Sequence, residues 1–414
     1  CYIGEYDSGN IDYAKIATGN IEVHTYNADG SFNKDLSGSL NSGGQLTFTA
    51  NDLENGGYVT IFDNVGSASS PNVHTLSIQK ELLSNMLINV EALQGNQASC
   101  YTSGKVTLTS QQKSLSLASS NTSLVMNNYG YESYRDGQVS STANLKNAIN
   151  IINTSEEILT TGLYDSKVVA AKLVKAGDLA NSGTTPTLVE LETLSNNMDL
   201  NWTLSAGQTL TSGKILTFTS KTGFEWQELL QTDLDFNFIP AQGYSSYLEG
   251  SYNGWEVYSN QPMNLNLAQN DVVLTEAIVS TGLNPQINSC SSGCVIDTNG
   301  AVSSNDKVFQ RSYFEVSGQA KHTVYAIPGT NSETVIPDYN VDASFKPVDN
   351  IMPEVSMILT SNITTDLVQY FMTQYNAPLS TGSFVDKVSV VATPQDEIAN
   401  KRKQASLAYQ VIQK

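Results

Sequence analysis

The feature that most constrains this chain is a turn of small residues running into a strand of alternating character. Its fullest copy is Ser212-Gly213-Lys214-Ile215-Leu216-Thr217-Phe218-Thr219. Relatives stand at Ser42-Gly43-Gly44-Gln45-Leu46-Thr47-Phe48-Thr49 and Ser103-Gly104-Lys105-Val106-Thr107-Leu108-Thr109. Bulky apolar residues alternate with threonine, so one face of each strand is buried and the other stays wet. Such a strand must lay its apolar face against another layer, and no helical period of comparable length interrupts the series. The expected fold class is therefore mainly β: tandem Ig-like β-sandwich domains with a short helical C-terminal segment.

A chain of 414 residues exceeds one ordinary core and suits about two to four domains of 100–200 residues. Its strand groups divide it into four expected domains, 1–99, 100–197, 198–285 and 286–414. With 40% hydrophobic residues it can fill such cores. Only 15% of residues are charged, and the polar surface falls to Ser, Thr, Asn, Gln and Gly, with 20 tyrosines. Forty acidic against 21 basic residues leave a net charge of −19, a field that repels phosphate backbones and anionic headgroups. Nucleic acid is not an expected partner. The same acidity supplies carboxylates for weak divalent-cation sites, so structural Ca2+ is the one cofactor considered.

Four cysteines bear on the address. Cys1, read as the first residue of a processed chain, is either the lipidated cysteine of a bacterial lipoprotein, tethered to an outer membrane, or the disulfide partner of Cys100. Cys290-Ser-Ser-Gly-Cys294 is close enough for a local disulfide staple. A metal reading of that pair requires further Cys or His ligands nearby, and the sequence places none there. Both readings of Cys1 put the protein outside the cytoplasm, secreted or at the cell surface. No apolar run approaches the roughly 20 residues of a membrane helix.

Along the chain, residues 19–26 predict a strand and Asn27-Ala28-Asp29-Gly30 a hairpin turn. Residues 44–49 and 52–63 follow as strand and turn. The order Gly44-x-Leu46-x-Phe48, then Leu53-x-x-Gly56-Gly57-Tyr58-Val59-x-Ile61, resembles the carboxypeptidase-regulatory-like and collagen-binding B-type repeats, small Ig-like sandwiches of bacterial surface proteins. The resemblance covers about a fifth of the chain and implies a stalk or adhesive module without catalytic residues. Further strands are expected at 106–109, 114–117 and 123–126, with a hairpin over 158–174 turning at Asp165-Ser166. Residues 144–152 are admitted as a short helix, although β-branched residues and asparagine disfavour one. The third region holds residues 202–204 and a long alternating run, 224–238, with Phe236 and Phe238 on one face. The last holds strands at 314–316, 322–326 and 355–359. Two helices close the chain: 366–375, with Leu367, Val368, Phe371 and Tyr375 on one face, and one starting at Thr393-Pro394 with Ile398, Ala405, Tyr409 and Ile412 at helical spacing.

Chemistry needs a base, a nucleophile or a metal. His24, His74 and His322 all sit in strand-like contexts followed by threonine, without HExxH or Ser/His/Asp companions, and are read as strand residues. No nucleophile elbow, P-loop or dinucleotide fingerprint is present. A pair of carboxylates is all a glycosidase requires, and the sequence points to no particular pair. The chain is therefore expected not to be an enzyme. Asp29 in the first turn, and Asp297 and Asn299 in Asp297-Thr298-Asn299-Gly300, offer oxygens ahead of a glycine as calcium candidates, though as hairpin turns they need no ion. Tyr244, Tyr247, Tyr252, Trp255 and Tyr258 cluster around Asn253-Gly254, either to stack on sugar rings or to pack across strands or at a subunit interface. Sequons at Asn121, Asn153, Asn201 and Asn362 matter only in a glycosylating host. The expectation is an extracellular structural protein that self-associates as the subunit of a homopolymeric filament or pilus-like appendage. The alternative is a surface lipoprotein or adhesin that binds glycan or another surface protein through the aromatic cluster.

Overall fold

In a computed structural model the described residues are 4–7, 10–13, 21–37, 53–64, 72–83, 106–107, 111–133, 137–143, 146–151, 153–219, 222–239, 241–280, 284–339, 343–364, 367–368, 371–372, 386–394 and 409–410. Strand accounts for 57% and helix for 5%, and among the described residues no helix reaches 7 residues. The chain is mainly β.

Its dominant element is a 13-stranded sheet. In order across it run Tyr409–Gln410, Thr222–Glu228, Gln208–Phe218, Gly243–Tyr252, Trp255–Met263, Val388–Ala392, Glu354–Thr360, Lys307–Val316, Ala320–Ala326, Val73–Gln79, Tyr58–Asn64, Ile21–Tyr26 and Phe32–Asp35. Neighbours are antiparallel except Ala320–Ala326 and Val73–Gln79, which pair in parallel from Ala320↔Val73 to Tyr325↔Ile78. This pair joins the early strands to the late ones, so one sheet draws on the first, third and fourth of the expected regions.

The alternation that marks these strands sorts their side chains into two cores. Val355, Met357 and Leu359 enter one, with Trp255, Val257, Leu248, Phe314 and Val324. Ile358 enters the other, with Val388, Val390, Leu216, Phe309 and Tyr325. A sheet covered on both faces reads as near-continuous apolar sequence, as Val388–Ala392 does. Two small sheets cover the first core. One is Asp235–Phe238, Asn196–Thr203 and Gln269–Val273, which contributes Phe236, Met198, Leu200 and Val272. The other is Gln286–Asn288, Val295–Asp297 and Glu333–Val335, which contributes Ile287 and Ile296. Leu367, Val368 and Phe371 cover part of the second core, with the Phe371 ring 5.9 Å from that of Phe309.

Residues 111–193 form their own 8-stranded sheet. The order is Gly137–Ser140, Asn128–Glu132, Glu157–Tyr164, Lys167–Lys175, Thr187–Thr193, Gln111–Ser119 and Lys146–Ile151, with Ala180–Asn181 beside Gln111–Ser119. Leu115, Leu117, Tyr131, Ile149, Ile151, Ile158 and Leu191 meet in its core. The opposite face of its central hairpin, through Leu159, Val168 and Ala171, joins the first core of the large sheet.

Several expectations hold at the element level. The strand of the opening motif lies in Gln208–Phe218, but its small residues are no turn: Ser212 and Gly213 pair with Glu249 and Leu248 after a register shift at Leu210/Ser212, and Ile215 and Leu216 enter opposite cores, so neither face stays wet. The expected hairpin turns at Asp165 and Ser166, both at positive φ (48° and 65°) as a tight two-residue turn requires. Others are corrected. Lys146–Ile151 is a strand rather than a helix, because Ile149 and Ile151 point into the core and Asn150 out to water at period two. Residues 123–126 form a turn and loop, opened by the Leu124 N–H to Asn121 O bond of 3.1 Å. The run 224–238 breaks at residues 229–234, where Asp233 N–H closes a turn on Leu230 O at 2.8 Å. Tyr409 lies in a strand, not a helix, with Gly223 as its ladder partner. Residues 367–368 and 371–372 are helical as expected. Thr393 is irregular and Pro394 lies in a turn, and the residues that follow in the second expected helix, up to 408, lie outside the described residues, as do the rest of 366–375 and the strand at 44–49.

Candidate functional site

The hairpin Gly243–Tyr252 and Trp255–Met263 carries all five predicted aromatic residues, and the alternation of its strands divides them. Tyr244, Tyr252 and Trp255 enter the first core, whereas Tyr247 and Tyr258 enter the second. Trp255 is 0% exposed, Tyr258 2% and Tyr252 7%. Stacking on a sugar needs an open ring face, and these rings present none, so their place is in cross-strand packing. Their hydroxyls are engaged as well. Tyr258 donates to Glu256 Oε2 at 2.6 Å, Tyr247 to Glu249 Oε1 at 3.0 Å, and Tyr244 to Ile239 O. Burial, and then the neighbouring Glu256 carboxylate, push the Tyr258 phenol far above its ordinary range.

Beside Tyr247, its ladder partner Lys214 reaches Glu225 Oε1 at 2.7 Å. Here the 8-stranded sheet meets the strand Thr222–Glu228, next to the edge of the large sheet. Glu132, only 8% exposed, accepts the Glu225 backbone N–H on Oε2 at 2.9 Å, while its Oε1 has no hydrogen-bond partner. Desolvation, reinforced by the Glu225 charge, raises the Glu132 pKa well above the usual carboxylate range. The junction is completed by a Val168 N–H bond to Gln227 Oε1 at 3.2 Å and by the Lys167–Asp233 ion pair. Trp202 Nε1–H donates to Asp233 O at 2.6 Å. This is the most perturbed carboxyl among the described residues, and sequence reasoning misses it. In Tyr129-Gly130-Tyr131-Glu132 the tyrosines face the local core, so alternation assigns Glu132 to water. Only docking against Thr222–Glu228 buries it.

The three histidines lie on strands of the large sheet, as expected. His322 is wholly buried, with Nε2 2.8 Å from Phe345 O and Nδ1 2.8 Å from Thr75 Oγ1. A carbonyl only accepts, so Nε2 carries the proton and Nδ1 accepts from threonine. The Tyr339 ring stacks on the imidazole at 4.4 Å and 13°. Burial pushes the His322 pKa down to about 4. His74 is lowered too, by burial and then by Lys321. His24, 4% exposed, lies 3.6 Å from Glu22 Oε2 and 4.7 Å from the Phe62 ring centroid.

The calcium candidates form turns. Asp29 Oδ1 accepts from Ser31 N at 2.9 Å and from Ser31 Oγ at 2.6 Å, which hold its carboxyl below the usual range. Asp297 Oδ1 accepts from Asn299 N at 2.7 Å, and Asn299 Nδ2 donates to Asn284 O at 3.2 Å. Among the described residues no group of three or more His, Cys, Asp or Glu is placed to hold a metal ion. The first turn instead serves docking. Gly30 O accepts the Asp338 N–H at 2.7 Å, and a Cβ on Gly30 would stand 2.7 Å from Ile336 O. Cys290 and Cys294 form the expected disulfide, and Cys294 O accepts the Ile336 N–H at 2.9 Å, so the staple supports the segment that holds Gly30. Cys1 and Cys100 lie outside the described residues. The four sequon asparagines, Asn121, Asn153, Asn201 and Asn362, are all exposed.

No protein-family model matches the chain, nor does any curated protein or solved structure.

Proposed function

We propose that this chain is a non-enzymatic structural protein of the cell surface, which works by associating with copies of itself in a filament or similar appendage. The observation that carries the reading is the 13-stranded sheet in which Val73–Gln79 and Ala320–Ala326 pair in parallel. Early and late parts of the chain thereby share one hydrogen-bonded layer, an economy suited to a stiff building block rather than to domains hinged about a cleft. The groups with most chemical potential support the same reading. The imidazole of His322, the five aromatic rings and the Glu132 carboxyl are all turned inward, on packing and docking. The Cys290–Cys294 disulfide supports an oxidising, extracellular address. An Ig-like sandwich remains the finer reading for residues 111–193 alone, supported by the core that their own sheet encloses.

The test is negative-stain imaging of the native protein together with its intact mass. Filaments or ordered rods are expected, with a mass that gains two protons on reduction of the Cys290–Cys294 disulfide. Isolated particles under all assembly conditions tried would overturn the structural reading.

A further inference from the structure

We propose that the outer edge of the strand Gly137–Ser140 is the contact through which two copies of this chain associate, each adding its strand to the other's sheet. The inference rests on the self-associating reading above and names its surface.

An edge strand presents a row of unpaired N–H and C=O groups, and another strand is the partner that satisfies them together. Among the described residues the two large sheets end at four edges. Phe32–Asp35 carries Lys34 and Asp35, and its ladder slips register at Thr25/Tyr26. Tyr409–Gln410 is 2 residues long, and beside it Glu132 occupies the Glu225 N–H. Lys146–Ile151 opens on a lysine and slips between Lys146 and Ile149. A charge, a bulge, a very short strand and a covered edge are the devices by which sheets resist pairing with other chains.

Gly137–Ser140, at 4 residues as long as Phe32–Asp35, has no charge, no bulge and, among the described residues, no strand outside it. Its ladder runs without a slip from Gly137↔Glu132 to Ser140↔Tyr129. It holds no charge and no proline, and Val139 is 63% exposed. The uncharged stretch continues from Gly137 to Leu145. That selects the occupant. With a net charge of −19, two copies repel over most of their surfaces, but here each meets a neutral strand identical to its own. Antiparallel pairing about a two-fold axis beside Val139 sets it opposite the partner's Val139 and Gln138 opposite the partner's Ser140, so the same patch closes on itself. Such an isologous contact is one of the two that a filament of symmetric pairs needs.

The experiment is sedimentation velocity of the full chain over a wide range of concentration, for the wild type, Val139→Lys and Asn33→Lys. Wild type is expected to self-associate, and V139K to weaken this by about tenfold or more, since it places two like charges at the contact. N33K, on the already guarded edge Phe32–Asp35, is expected to associate like wild type. Val139 is exposed, so the melting temperature of V139K should match wild type and separate lost contact from lost fold. If V139K associates as wild type does, the edge assignment is wrong while the structural reading stands. If the wild type is monomeric throughout, the reading beneath it fails too.

Discussion

His322 shows how a residue with catalytic potential becomes structural. Its proton is fixed on Nε2 by Phe345 O, and its other nitrogen is held by Thr75. Burial lowers its folded pKa from the ordinary 6.5 to about 4. The unfolded chain therefore takes up a proton before the folded chain does, so stability contributed above pH 6.5 is lost as pH falls towards 4. The loss is on the order of 3 kcal/mol. His322→Gln should lower the stability at pH 7 by about 1–3 kcal/mol through the broken pair of buried hydrogen bonds. It should also flatten the decline between pH 6.5 and 4 in thermal melts, and an unchanged slope would show that the imidazole is not the group responsible. Glu132 runs the other way. Its folded pKa is raised above 4.5, so the folded chain holds the extra proton and stability falls as pH rises from that value through the raised pKa. Glu132→Gln keeps an acceptor for the Glu225 N–H and removes the buried charge. Its melting temperature should gain on wild type as pH rises above 4.5, and a constant difference across pH would refute the assignment.

At the scale of elements, the strand Gln208–Phe218 tests whether the turn-and-strand motif is built for close packing. A Cβ on Gly213 would stand 2.5 Å from Leu229 O and 3.2 Å from Leu248 Cδ2. Gly213→Ala would gain about 0.5 kcal/mol from a less flexible unfolded chain, but the clash with backbone should cost about 1–3 kcal/mol and win. A lower melting temperature is expected; one equal to wild type would mean that strand and turn separate freely. Ser212 and Gly213, read as a turn, are paired strand residues, and the wet face expected of the motif is covered, but the strand itself was legible from its recurring bulky apolar residues. So were the hairpin at Asp165-Ser166 and the Cys290–Cys294 staple, since both are local. Lys146–Ile151 was obscured by asparagines that disfavour either state, and its strand identity comes from Ile149 and Ile151 finding a core made by distant strands. The aromatic cluster was seen with cross-strand packing as one of its open readings, but no sequence signal says that both faces of its hairpin are covered, which decides whether Trp255 meets solvent. Glu132 was missed for the same reason: what buries it lies 93 residues away along the chain.

At the scale of the whole molecule, the least legible feature is the one on which the proposed function rests. Nothing in Val73–Gln79 or Ala320–Ala326 announces the other, because parallel pairing at a separation of 247 residues leaves no turn between them to read. Yet that pair turns a series of β-regions into one layer with two cores, and makes the early strands depend on the late ones. The disulfide acts in the same direction, since Cys294 and Ile336 support the turn at Gly30 from across the chain. Hydrogen exchange of the native protein, followed by mass spectrometry, measures this dependence directly. Amides of Val73–Gln79 and Ala320–Ala326 should share one slow rate and lose protection together as denaturant is raised. If Val73–Gln79 exchanges while Ala320–Ala326 stays protected, the early strands form a separate unit, and a single interlocked building block is contradicted.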